Sequence, residues 1–166
     1  MISKKTRDNL FKFVFVFFIF SIDRISKIYV INLAEGQSNL DLYINSFINI
    51  ILVWNTGIAF GLLSFDSNLF YNFITILILF INLFIFYLIV KSEKFILYSL
   101  ILILGGSLGN LFDRLYYSAV PDFIDLNYNG YHWFIFNIAD IFITLGIISL
   151  ILVEILNYKG NNENKN

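Results

Sequence analysis

Acidic residues stand where a bilayer-crossing chain can least accommodate them, and this limits the possible folds more than any other feature. Asp23, Asp113, Asp122, Asp125 and Asp140 lie inside or beside long runs of Phe, Ile and Leu. An ionised carboxylate at the centre of a bilayer costs on the order of 2.5–3.5 kcal/mol even on the lenient insertion scale. Such groups face protein or a wet cavity, and they mark function. The surrounding chain is 58% hydrophobic over 166 residues. A soluble domain of that size cannot bury so much apolar surface, so the chain reads as an integral membrane protein.

Four segments read as membrane-spanning helices: Leu10–Ile31, Leu69–Val90, Phe95–Leu111 and Asn137–Leu156. The uninterrupted apolar part of the first, Phe13–Ile22, is half the ~20 residues a span needs. That helix must therefore run on through Asp23, Arg24 and Lys27. Asp23 and Lys27 are spaced i, i+4 and share a face, as a structural ion pair would. Lys4, Lys5 and Arg7 precede the first apolar run, but no early small-x-small pattern follows, so it reads as a retained span rather than a cleaved signal. The third segment ends in Gly105-Gly106-Ser107-Leu108-Gly109-Asn110, small residues that let helices approach closely.

Lysine and arginine set the orientation. They occur in the N-terminal tail, in the short loop holding Lys91 and Lys94, and in the tail with Lys159 and Lys165. The connection from Leu33 to Asn68 has none, and the one after span three has only Arg114 at its start. Both termini are then cytoplasmic, and the acids crowd toward the outer surface. Between Leu42 and Trp54 apolar residues alternate, a period-2 strand signal. The expected fold is an all-α membrane protein of four transmembrane helices with a small β-sheet or loop elaboration on the outer face. Residues 1–157 read as one domain, and 158–166 as a disordered polar tail.

With no cysteine, disulfides and thiolate chemistry are excluded, and the single His132 precludes a multi-histidine metal site. A net charge of −1 gives no basic patch for nucleic acid. No metal or cofactor is expected. Asp140 alone reads as an acid suited to a helix N-terminus, and Asp122, stiffened by Pro121, as a solvated loop acid. The convergence of Asn110, Asp113, Arg114, Asp122, Asn137 and Asp140 on one band supports a site instead. If Asp122 and Asp140 share a proton, one can deprotonate water while the other polarises a carbonyl. Asp113 and Arg114 form either a pair closing span three or substrate contacts. Asp125 reads as a solvated or interfacial acid, His132 and Trp133 as interface markers, and Asn72 and Asn82 as helix–helix contacts. Rival classes are a transporter or proton channel, a structural assembly subunit and a carboxylate-metal hydrolase. The first would spread acids across the membrane depth.

Five segments carry a resemblance: Asp23-x-x-x-Lys27, Asn55–Gly61, Gly105–Arg114, Val120–Asp125 and Phe136–Asp140. In this order they resemble the signature blocks of lipoprotein signal peptidase, also called signal peptidase II, over roughly residues 10 to 157. The resemblance implies a bacterial intramembrane aspartic endopeptidase. It would remove the signal peptide from diacylglyceryl-modified prolipoproteins, cutting before the modified cysteine. It places catalysis on Asp122 and Asp140 and substrate-proximal roles on Asn55, Asn110, Arg114 and Asn137, with Asp23, Lys27 and Asp113 as further motif positions. It also implies a monomer in the cytoplasmic (inner) membrane, among membrane lipids, with its site near the outer surface. Pro121 departs from the aliphatic residue expected there, and Ser107 from a common alanine.

Overall fold

A computed structural model describes residues 4–36, 40–57 and 68–163. Its chain order is helix α1 (Lys4–Ala34), strands β1 (Asp41–Asn45) and β2 (Ile48–Asn55), helices α2 (Asn68–Lys91) and α3 (Lys94–Tyr117), strands β3 (Val120–Tyr128) and β4 (Tyr131–Phe136), and helix α4 (Ile138–Glu163). Among the described residues, three helical stretches are long and apolar enough to cross a membrane: Leu69–Lys91, Lys94–Tyr117 and Ile138–Tyr158. Their outward side chains, Phe80, Phe84, Leu152 and Ile155 among them, are exposed, as apolar surface is when lipid is the solvent.

Helix α3 is the hub, packed against α1, α2 and α4. An apolar cluster joins Val16 and Ile19 of α1, Ile85 and Ile89 of α2 and Leu100, Ile101 and Leu104 of α3. The helix continues past the expected end at Leu111 to Tyr117, where Ser118 adopts the left-handed conformation that stops it. The glycine-rich segment therefore lies inside the helix rather than at its exit. Gly109 shows why: a Cβ there would collide with the Asp23 carboxylate of α1. Asp113 and Arg114 consequently occupy the last helical turns and not the start of a loop. At the other boundary, α4 extends to Glu163, so the tail expected to be disordered from 158 is helical up to that residue.

Both long connections build one antiparallel sheet, ordered β1-β2-β3-β4. The alternation seen between Leu42 and Trp54 becomes β1 and β2. The β3–β4 hairpin turns at Asn129-Gly130, both at positive φ, as a two-residue turn of type I′ requires. Pro121 faces Trp54 of β2, whereas β4 pairs with β3 only from Ile124 onward. The missing proline N–H thus falls where β3 has a single neighbour, a position strands tolerate.

The connectivity puts the sheet at one end of the helices and the Ser92–Glu93 turn at the other. There Lys12 of α1 donates to the carbonyls of Ile89 (3.0 Å) and Ser92 (3.2 Å). Phe123 of β3 packs with Val30 of α1 and Leu40, fixing the sheet over the helix ends. The expected contact residue Asn72 is exposed, while Asn82 is buried.

Candidate active site

Asp122 enters from β3 and Asp140 from the first turn of α4. Asn137, immediately before α4, ties them together. Its side-chain amide donates to Asp122 Oδ1 at 2.6 Å, and its backbone N–H donates to Asp140 Oδ2 at 3.2 Å. In return the Asp140 backbone N–H donates to Asn137 Oδ1 at 3.1 Å, a reciprocal cap on the start of α4. The amide of Asn55, at the end of β2, donates to Asp122 Oδ2 at 2.8 Å. The amide of Asn110, on α3, donates to Asp140 Oδ1 at 2.8 Å. Each carboxylate oxygen of the pair therefore has a neutral donor.

Asp122 is 3% exposed. Burial first, and the neighbouring Asp140 charge second, push its carboxyl up to about 6, against the opposing hydrogen bonds from Asn55 and Asn137. A buried carboxyl beside a like charge retains its proton into the neutral range.

A second cluster lies behind this one. Lys27 Nζ contacts Asp113 Oδ2 at 2.6 Å and donates to Asn110 Oδ1 at 2.8 Å. It also lies 2.8 Å from Asp23 Oδ2, a charge contact rather than an aligned hydrogen bond. Arg24 pairs with the other oxygen of Asp113 and lies over the Phe112 ring, 4.7 Å from its centroid. Asp23 Oδ1 accepts the backbone N–H of Ala139 at 2.9 Å, anchoring α4 to α1. Asp113 thus pairs with α1 and not with Arg114. Arg114 donates instead to the carbonyls of Asn110 and Gly57, both at 3.2 Å, while its Nε has no partner among the described residues.

A cavity of about 290 Å³ opens beneath the carboxylates. Asn55, Asn110, Arg114, Asp122 and Asp140 form its polar head; Ile78, Ile143 and Ile147 line its mostly apolar body, with the hydroxyls of Ser107 and Thr144 among them. All nine anticipated residues fall in these two contiguous clusters. Of the Asn55–Gly61 block, Ile58 to Gly61 lie outside the described residues. Arg24 was not anticipated, although a cation beside Asp23 in an apolar helix was the available signal. Asp125 is fully buried instead of solvated, because β4 brings His132 Nδ1 to 2.7 Å from it. Among the described residues no three His, Asp or Glu gather to hold a metal ion.

A fold of this kind defines a membrane-embedded enzyme. Two solved structures described as bacterial membrane enzymes superpose with TM-scores of 0.70 and 0.65 at 33% and 32% identity, the first covering 90% of each chain. The second covers 86% of this chain and 90% of its own. The family model described as Signal peptidase (SPase) II matches residues 15–156. A lipoprotein signal peptidase of Pelagibacter ubique is 50% identical over 90% of this chain and 91% of its own length. One from Janthinobacterium is 38% identical over 81% of each. The chain belongs to the signal peptidase II family, a family of proteases. Membership carries the family's activity, removal of the signal peptide from prolipoproteins.

Proposed function

We propose that the chain is an aspartic endopeptidase that cleaves diacylglyceryl-modified prolipoproteins within the membrane, immediately before the modified cysteine. The observation that carries this reading is the pair Asp122 and Asp140, buried at the head of an apolar groove and bridged by Asn137. The signal peptide lies in the groove against Ile78, Ile143 and Ile147. The ionised member of the pair takes a proton from water, and the protonated member polarises the scissile carbonyl. The resulting hydroxide adds to that carbonyl, and the amide nitrogen leaves with the proton. The Nε of Arg114, which has no partner among the described residues, is a donor for substrate backbone, whose amides cost several kcal/mol each if left unpaired in lipid.

Helix α1 completes a four-span arrangement with both termini in the cytoplasm and the sheet outside. At 31 residues it is roughly 46 Å long, more than the ~30 Å hydrocarbon core requires. Its Asp23, Arg24 and Lys27 are buried against the rest of the protein, so they need not face lipid. Lys91 and Lys94 lie at the end opposite the sheet, as the positive-inside rule asks. The site then sits near the outer surface of the bacterial inner membrane, where water reaches it.

The test is cleavage of a diacylglyceryl-modified prolipoprotein in detergent by wild type, Asp122→Asn and Asp140→Asn, with EDTA present. Cleavage by wild type alone is expected. Full activity in either variant, or dependence of the wild type on the chelated metal, would overturn the aspartic mechanism.

A further inference from the structure

We propose that a second, dry pocket on the far side of Asp140 holds an acyl chain of the substrate's diacylglyceryl group, an assignment that rests on the lipoprotein reading above. The pocket has a volume of about 260 Å³. Its roof is the sheet, where Leu126 of β3 pairs across to Phe134 of β4, with Phe136 two residues on. Its floor is Ile141 and Leu145 of α4.

Helix geometry separates this pocket from the catalytic groove. Successive residues turn by about 100°, so α4 presents three adjacent stripes. Ile143 and Ile147 line the catalytic groove, and Ile141 and Leu145 line the dry pocket. Asp140 and Thr144 lie between and border both. A substrate atom at Asp140 is therefore at the mouth of two cavities, which diverge around one helix. The two differ in chemistry. The groove has amides and a guanidinium at its head for peptide backbone, whereas away from the ridge the pocket is lined by Leu, Ile and Phe side chains alone. Peptide there would leave its amides unpaired; a hydrocarbon chain needs no partner and gains with each methylene it buries.

The covalent layout of the substrate fits this divergence. The scissile bond directly precedes the lipid-bearing cysteine, so peptide and lipid must part company within one residue of the carboxylates. Leu126, Phe134 and Leu145 are partly exposed on the pocket's outer side, which leaves the chain's far end free to continue into the bilayer. The shared ridge thus measures the cut: peptide on one side, lipid on the other, the bond between them at Asp140.

The experiment compares peptides whose cysteine carries either two palmitoyl or two butyryl chains, with wild type and with Leu126→Trp and Leu145→Trp, which narrow the pocket from roof and floor. For the palmitoyl substrate the variants are expected to raise KM about tenfold, the loss of roughly two buried methylene contacts. Unchanged kcat, and unchanged kinetics on the butyryl substrate, are expected alongside. An equal loss on both substrates, or none on either, overturns the assignment. A palmitoyl chain carrying a diazirine within its first few methylenes from the carboxyl end, used on wild type, decides without any variant. Labelling between Phe134 and Leu145 that unlabelled substrate competes away is expected, and labelling of Ile78 or Ser107 instead would overturn it. If wild type cleaves an unlipidated peptide equally well, the parent reading fails. If it demands lipid yet ignores the pocket variants, only the pocket assignment fails.

Discussion

Two groups of buried carboxylates lie side by side in this protein and are handled in opposite ways. Asp23 and Asp113 are packed with Lys27 and Arg24 at ion-pair distance. Asp122 and Asp140 have amide donors from Asn55, Asn110 and Asn137, and among the described residues no cation stands at ion-pair distance from either. In the first group two acids meet two cations, so the charge is cancelled in place. In the second, two acids face each other with neutral donors alone, so removing a charge requires holding a proton. The first arrangement ties α1 to α3 and α4; the second is poised for proton transfer. Asn110 joins them, accepting from Lys27 and donating to Asp140.

The largest effect should come from unbalancing the cancelled group. Lys27→Met leaves Asp23 without its cation and Asp113 with Arg24 alone, and removing one partner of a buried pair typically costs about 3–5 kcal/mol. Unfolding in detergent should show that loss. Neutralising the acid left over as well, in Asp23→Asn/Lys27→Met, keeps Asp113 balanced by Arg24 and should recover most of it. A double variant no more stable than Lys27→Met would show that specific hydrogen bonds, and not charge balance, hold the cluster.

The residue types of both groups are visible in the sequence, but their grouping is not. The Asp23–Lys27 pair follows from i, i+4 spacing. The partners of Asp113 do not, because they lie on α1, 86 and 89 residues away. Helix α2 is plain from its unbroken apolar run. The end of α3 is not, since glycine and asparagine ordinarily punctuate a helix, and here the glycine-rich stretch serves close packing. The β3–β4 hairpin is obscured because β3 is buried on both faces from Val120 to Phe123, which erases the alternation a half-exposed strand shows. The Asn129-Gly130 turn was its readable signal. The burial of Asp125 depends on strand register, which sequence spacing leaves open.

The uncancelled pair should behave inversely to the ion cluster. The Asp122 carboxyl stands at about 6 in the folded protein against an ordinary 3.8. The unfolded chain therefore loses its proton first, and wild-type stability falls as pH rises from about 4 through about 6. Asp122→Asn cannot ionise. At pH 8 it should be more stable than wild type by about 1–3 kcal/mol while cleavage is lost, and the gain should vanish near pH 4. Equal stability at both pH values would show that Asp122 carries no uncompensated charge.

A smaller change tunes the same group. Asn55 donates to Asp122 and favours its charged form, so Asn55→Ala should move the Asp122 midpoint upward by about one pH unit, equivalent to ~1.4 kcal/mol. The infrared carboxyl band of the variant against wild type reads this directly. A downward shift would mean that water replaces the amide with a better donor.

The smallest effect tests a polar group that has neither charge nor partner. Asn82 is 3% exposed on α2, and neither its amide nitrogen nor its oxygen has a hydrogen-bond partner among the described residues. A buried, unsatisfied amide costs stability, whereas each carboxylate of the two clusters has a cation or an amide donor beside it. Asn82→Leu, similar in volume, should therefore raise stability in detergent by about 1 kcal/mol and leave kcat unchanged. Asn82 stands one helical turn from Ile78, which lines the catalytic groove. A drop in cleavage with stability raised would show that the amide meets substrate at the groove's inner end. The unpaired amide would then resemble Asp122, a local cost retained because the occupied site uses it.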